Sequence, residues 1–160
     1  MTTVLLFTEH ELDQDELTAT LDALATLPLD GNGRADVSVL VPYPAHRSAD
    51  LMLDVAAARG MSASRATADS HHEAAARQAS ADQVLRHVLS AVRGAGHVAR
   101  GELVGVHNVV RDLVAKAASR GATTAVVVAS PHWFSHLAHR DLEHRLRHAG
   151  LSQVVRVHSP

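Results

Sequence analysis

Three histidines near the C-terminal end of the chain could together bind a metal ion. They are His132, His136 and His139. They stand at positions i, i+4 and i+7, so a helix that begins as early as Ser130 would carry all three imidazoles on one face. Neutral imidazoles in this arrangement can bind zinc, nickel or copper, and Asp141 or Glu9 could add an oxygen ligand. The alternative is that these are solvated loop and helix residues, because the spacing matches no established metal motif.

Histidine is frequent throughout the chain, which has 13 histidines among its 160 residues. The reference pKa of histidine is about 6.5. Mild acidification would therefore add up to 13 positive charges to a net charge of −2. This composition has two interpretations. Either the protein is a histidine-based metal or pH sensor, or histidine fills ordinary polar surface positions.

The three histidines follow a segment that is typical of a buried central strand. Val126, Val127 and Val128 form an unbroken β-branched run, as expected for a strand buried on both faces of a parallel sheet. Pro131 ends this run, because it lacks a backbone donor and disfavours the α region for the residue before it. Ligands of open α/β sheets bind at the carboxyl ends of strands. We therefore expect a site within 125–140.

Strands and helices alternate along the rest of the chain. Apolar runs predict strands over 4–7, 37–41, 98–106, 126–128 and 154–157, with Pro42 and Pro44 ending the second strand. Helical periodicity predicts helices over 13–27, 71–93, 108–118 and 137–149. Asp13 with Glu16 three residues later matches a capping box. The stretch 43–70 is the exception, with a short helix over 51–58 and a loop over 62–70.

This alternation predicts a doubly wound, five-stranded parallel α/β sheet with helices on both faces, since connections between parallel strands cross over right-handed. We find no internal repeat, and we expect a single domain over 1–160. Gly101 and Gly105 interrupt the alternating apolar pattern of the third strand, which is still predicted over 98–106.

Composition argues against several functional classes. The near balance of charge gives no electrostatic footprint for nucleic-acid binding. No apolar run approaches membrane-spanning length, and no signal peptide precedes the first strand, so a cytoplasmic location is expected. The absence of cysteine excludes disulfides, thiolate metal sites and a cysteine nucleophile.

No catalytic constellation can be identified in the sequence. Ser130 lies outside any Gly-x-Ser-x-Gly elbow, so it is not expected to act as a nucleophile. The cluster His71, His72 and Glu73 is predicted at the mouth of a helix, where such residues act as capping and surface groups. We expect no enzymatic activity, with a weak ATPase as the alternative.

With these elements in place, the chain resembles a universal stress protein domain over nearly its whole length. Four features carry the resemblance through their order and spacing. They are Glu9 after the first strand, the Gly-Val-His-Asn-Val-Val-Arg-Asp-Leu-Val turn at 105–114, Ala129-Ser130 after the fourth strand, and Arg-Leu-Arg-His-Ala at 145–149. The resemblance implies a Rossmann-like fold with strand order 3-2-1-4-5. It also implies a homodimer formed through the exposed last strand, with Val154, Val155 and Val157.

The chain departs from the pattern of ATP-binding members in the loop after strand four. Those members share Gly-x2-Gly-x9-Gly-Ser/Thr, in which glycine lets backbone N–H groups approach phosphates. Here Ala129, His132 and His139-Arg140 occupy the corresponding positions, and no glycine stands between Gly121 and Gly150. The sequence therefore indicates a binding or regulatory module that does not hold ATP in the family's usual way, and no cofactor is expected.

Some parts of a nucleotide site are nevertheless retained. Glu9 matches the family's aspartate at the end of the first strand, and Ser130 and Arg140 could contact a phosphate. The resulting candidate nucleotide-binding residues are Thr8, Glu9, Val41, Ser130, His132 and Arg140. The alternative functions are thus a stress protein that binds ATP, ADP or AMP and a histidine-based sensor. No nucleic-acid or membrane partner is expected.

Overall fold

The computed structural model describes residues 2–29, 33–43, 63–105, 109–129 and 139–158, with the backbone alone at 63–71, 73, 129, 139–143 and 158. The strands are β1 (Thr2–Thr8), β2 (Ala35–Tyr43), β3 (Val98–Gly105), β4 (Thr124–Ala129) and β5 (Gln153–His158). The helices are α1 (Gln14–Ala25), α2 (Ala63–Gly94), α3 (Val109–Arg120) and α4 (His139–His148). No helix within these ranges is both long and apolar enough to cross a membrane.

The five strands form one sheet in the order β3-β2-β1-β4-β5, and every neighbouring pair is parallel. The chain runs outward from β1 to β3, crosses back to β4 beside β1, and then continues outward to β5. The strand order therefore reverses between β1 and β4. The predicted fold class and the strand order implied by the resemblance are both confirmed.

Two apolar layers hold the helices to the sheet, because successive strand residues point to opposite faces. On the α1/α2 face, strand residues such as Val4, Leu6, Val37 and Val39 pack with Leu24 and Val88, the inward-facing residues of the two helices. On the α3/α4 face, strand residues such as Leu5, Phe7, Leu40 and Val127 pack with Leu113 and Leu146. With few aromatic residues, this core depends on close packing of Val, Leu and Ala.

The ends of the helices follow the predicted signals. Asp13 caps α1: the Glu16 N–H donates to Asp13 Oδ1 at 2.8 Å, and the Asp13 N–H donates to Glu16 Oε2 at 3.0 Å. Gly121 follows α3 with φ 60°, and Gly150 follows α4 with φ 98°. Glycine adopts this left-handed backbone without the steric cost that a Cβ imposes, so both helices end where the sequence places a glycine.

Helix α2 begins earlier than predicted. It starts at Ala63 rather than near His71, so 63–70 is helical and not a loop, and the cluster His71, His72 and Glu73 lies inside the helix rather than at its mouth. The alanine-rich stretch from 63 to 93 contains no glycine or proline, so nothing in it ends a helix once one has formed. The predicted short helix over 51–58 lies outside the described residues.

Strand β2 continues through Pro42, which was predicted to end it. Pairing with β1 ends at Leu40, opposite Phe7, whereas pairing with β3 continues to Tyr43, opposite Gly105. Among the described residues, β2 is therefore paired on one side only beyond Leu40, and an unpaired side tolerates the missing N–H of a proline. The predicted stop at Pro44 lies outside the described residues.

Gly101, which breaks the alternating pattern of β3, allows helix and strand to approach closely. The strand is continuous from Val98 to Gly105. A Cβ added at Gly101 would overlap Leu85 Cδ1 and lie 3.2 Å from Leu89 Cδ1. Glycine at this position therefore lets α2 pack directly on the backbone of β3.

We expect Gly101→Val to lower the free energy of unfolding by about 1–3 kcal/mol, because overpacking forces α2 away from β3. Urea denaturation monitored by circular dichroism measures this change. The control is Gly94→Ala, where a Cβ would meet no atom within 4 Å in the described structure, so stability should not fall. A Gly101→Val variant as stable as the parent would contradict the proposed close approach.

Candidate functional site

The reversal of strand order creates a crevice where the carboxyl ends of β1 and β4 lie side by side. Thr8 of β1 pairs with Val128 of β4, and Phe7 pairs with Leu40 of β2. Open α/β sheets bind ligands at such a reversal, because the two flanking crossovers leave in opposite directions. Of the six predicted nucleotide-binding residues, the structure brings Thr8, Glu9 and Val41 to this end of the sheet.

Thr8 and Val41 present little of their side chains to this crevice. Thr8 is fully buried, and its Oγ1 donates a hydrogen bond to the His10 carbonyl oxygen at 2.8 Å, which closes the turn after β1. The Val41 side chain packs in the core of the α1/α2 face. Thr8 therefore shapes the turn, and Val41 can contribute mainly through its backbone.

His10 lies near two carboxylates at the end of β1. Its Nε2 lies 2.8 Å from Oε1 and 3.0 Å from Oε2 of Glu16. A carboxylate can only accept, so Nε2 carries the hydrogen and donates it. The other ring nitrogen, Nδ1, lies 3.8 Å from Oε1 of Glu9. The imidazole thus holds the Glu16 carboxylate at the turn, whereas the distance to Glu9 is too long for a hydrogen bond.

Glu16 connects this turn to the start of α1. Its side chain is only 2% exposed, and the same carboxylate also accepts the Asp13 N–H of the capping box. Helix N-termini bind anions through free N–H groups. Here the Glu16 N–H donates to Asp13 instead, and the Leu17 N–H donates to the Asp13 carbonyl at 2.9 Å. The first turn of α1 therefore satisfies much of its own donor capacity.

The segment after β1 is strongly acidic. Five carboxylates occur within eight residues, at Glu9, Glu11, Asp13, Asp15 and Glu16, and His10 is the only basic side chain among them. Burial and ion pairing take up part of this charge, but the net charge of the segment is negative. Such a surface favours cations and hydrogen-bond donors and disfavours phosphate groups.

The remaining predicted site residues lie after β4. Ser130, His132 and His136 fall outside the described residues, and His139 and Arg140 form the first turn of α4, described by its backbone alone. The three-histidine metal site therefore stays a prediction. Among the side chains that the structure describes, no group of three or more His, Asp or Glu residues is arranged to hold a metal ion.

Sequence reasoning identified Glu9 but missed the role of His10 and treated Glu16 only as a cap. A signal was present: a histidine next to a glutamate, directly after a buried strand and six residues before another acidic residue. What the sequence does not reveal is that the Glu16 side chain turns back toward β1, because that depends on how α1 packs on the sheet.

No protein-family model and no curated protein matches the chain. Among solved structures, a protein from the universal stress protein family of Burkholderia pseudomallei is 18% identical, with 98% of this chain and 95% of that chain covered and a TM-score of 0.48. A universal stress protein in complex with cAMP is 15% identical, with 99% and 98% covered and a TM-score of 0.48. Sequence identities and TM-scores this low do not show that the chain belongs to this family.

We expect Glu16→Gln to lower the free energy of unfolding by about 1–3 kcal/mol, because an amide NH2 must then face either the His10 donor or the Asp13 N–H. Thermal denaturation should show the loss as a fall in Tm of about 2–4 °C for each kcal/mol. The matched control is Glu11→Gln, which removes the same charge from an exposed neighbour. Equal losses in both variants would contradict a specific role for Glu16.

Proposed function

We propose that the chain is a non-enzymatic regulatory module of the universal stress protein type, which binds a small molecule and does not hold ATP in that family's usual way. The observation that carries this proposal is the acidic turn after β1, where Glu9 and His10 follow the end of the strand and His10 contacts the buried carboxylate of Glu16. The module acts in the cytoplasm and requires no cofactor under this proposal.

The acidic turn opposes a triphosphate for two reasons. A phosphate beside Glu9 meets a like charge, and the capping box already occupies donors in the first turn of α1. The sequence supports the same conclusion on the other side of the crevice, since no glycine between Gly121 and Gly150 frees backbone N–H groups to approach phosphates. A ligand with hydroxyl or amino groups fits the carboxylates better.

Native mass spectrometry of protein purified without a metal-affinity step tests this function. We expect no co-purified nucleotide and no one-to-one complex when ATP is added. The reason is that phosphate groups would meet carboxylates at this site instead of hydrogen-bond donors. Stoichiometric ATP, carried over or added, would contradict the proposal.

A parallel zinc titration tests the hypothesis of a histidine-based metal sensor. Under that hypothesis the parent chain binds zinc, and the bound zinc must disappear when His132, His136 and His139 become Asn.

The same spectra report the number of subunits. We propose a homodimer through β5, because this strand ends the sheet and, within the described ranges, pairs with β4 alone. Val154 and Val155 are only partly buried there. An unpaired edge that carries valines is suited to pairing with a second copy. The expected mass is twice the 17.0 kDa of one chain.

A nucleotide-binding function is the second candidate, and the position of Glu9 at the reversal of strand order favours it. A carboxylate there can accept hydrogen bonds from ribose hydroxyls, as in dinucleotide-binding folds. If the parent chain binds AMP, ADP or ATP, Glu9→Ala should abolish binding in a calorimetric titration, whereas Glu11→Ala should leave it unchanged. Unchanged affinity in Glu9→Ala would remove this candidate.

A further inference from the structure

A polar pocket of about 300 Å³ lies on the α3/α4 face, at the opposite end of the sheet from Glu9. Its floor comes from the amino halves of β1, β2 and β3, and its wall from the last two turns of α3. The residues that define it are Asp36, Ser38, Arg100, Lys116 and Arg120, with Thr3 and Ser119 at its margin. We call this feature the amino-edge pocket.

The register of the strands explains why the pocket is polar. Ser38 lies between Leu5 of β1 and Arg100 of β3, whereas the next row on the same face is Phe7, Leu40 and Glu102. Along β2, the apolar core under α3 therefore stops at Leu40. Toward the amino ends of β2 and β3, polar residues replace apolar ones beneath the end of the helix.

The hydroxyl of Ser38 makes no hydrogen bond to any of the described residues. Its side chain is 2% exposed and lines the pocket, yet Oγ has no hydrogen-bond partner among the described residues. Burying a hydroxyl without a partner is unfavourable, and alanine would fill the same space without that cost. A serine at this position indicates that the hydroxyl serves something that enters the pocket.

The charges around Ser38 leave a cationic excess. Arg100 forms an ion pair with Asp36, and Lys116 Nζ lies 2.8 Å and 2.9 Å from the two oxygens of Glu102. Both carboxylate oxygens of Glu102 are therefore within ion-pair distance of the Lys116 ammonium. Arg120 completes the cluster, which contains three cations and two carboxylates.

Arg120 is the cation whose charge the carboxylates of the cluster neutralise only in part. Its Nη2 lies 3.6 Å from Glu102 Oε1, which is an ion-pair distance but too long for a hydrogen bond. Its guanidinium therefore keeps donors for a further acceptor, and a guanidinium matches the geometry of a carboxylate or phosphate. Lys116 is the only lysine of the chain.

We propose that the amino-edge pocket binds a small metabolite through an oxyanion, a phosphate or a carboxylate. Arg120 and Lys116 bind the oxyanion, the Ser38 hydroxyl donates to it, and Asp36 accepts from a hydroxyl of the same ligand. A volume of about 300 Å³ is at the lower end of the range for ligand pockets, which limits the ligand to one small molecule. This site does not depend on the function proposed for the crevice.

Two-dimensional ¹⁵N–¹H NMR, with inorganic phosphate and acetate as separate probes, tests the proposal. Sodium chloride at matched ionic strength is the control. We expect saturable shifts of the backbone amides of Ser38, Arg100 and Arg120. Tighter binding of phosphate identifies a phosphorylated ligand, and tighter binding of acetate identifies a carboxylate. Shifts that do not saturate, that chloride reproduces, or that map to Glu9 and His10 would overturn the proposal.

Variants separate a binding site from a packing defect. Arg120→Gln should weaken binding of the preferred probe about tenfold, because a charge-assisted hydrogen bond is lost. Arg86→Gln, which removes the same charge from an exposed position on α2, should bind as the parent does. Equal affinities in these two variants would contradict the assignment.

Ser38→Ala provides the second readout, because the two interpretations of Ser38 predict different results. In a binding site, this substitution weakens binding of the probe, and Tm rises by about 2–4 °C because a buried, unsatisfied hydroxyl is removed. If affinity stays unchanged while Tm rises, Ser38 is a packing defect, and the proposed role of its hydroxyl is wrong.

Discussion

The structure depends on β1 being buried on both faces and paired along both edges. Val4, Leu5, Leu6 and Phe7 are at most 1% exposed, and β2 and β4 flank the strand. A strand in this position cannot shift by one residue, because every side chain would move to the opposite apolar layer. The turn after Thr8, and with it Glu9 and His10, is therefore held at a fixed place beside the end of β4.

Much of the fold could be predicted from local patterns. Valine and leucine runs predict all five strands, and the capping box of Asp13 and Glu16, with Gly121 and Gly150, marks helix ends within a residue or two. The error at Pro42 arose because a neighbouring strand decides the outcome: the proline is tolerated since β1 has already ended beside it. Gly101, which breaks the alternating pattern of β3, is required because α2 lies on top of it.

The candidate sites were predictable only in part, for a similar reason. Glu9 follows a buried strand, so its position at the crevice can be inferred from the sequence alone. The contact between His10 and Glu16 requires the path of α1, and the proximity of Ser38 to Arg120 requires both the register of β2 and the end of α3. In the sequence, only the two charged residues Arg100 and Glu102, two positions apart within β3, indicated the amino-edge pocket.

The pairing of β1 with β4 also has a consequence for biosynthesis. Phe7 pairs with Val127, so the strand at the centre of the sheet gains its second neighbour only after about 120 further residues have been made. At about 5–20 residues per second, this takes roughly 6–24 s. During that interval the apolar β1 has an open edge, which is the kind of surface that promotes aggregation. The nascent chain therefore carries an open apolar strand edge until β4 has left the ribosome.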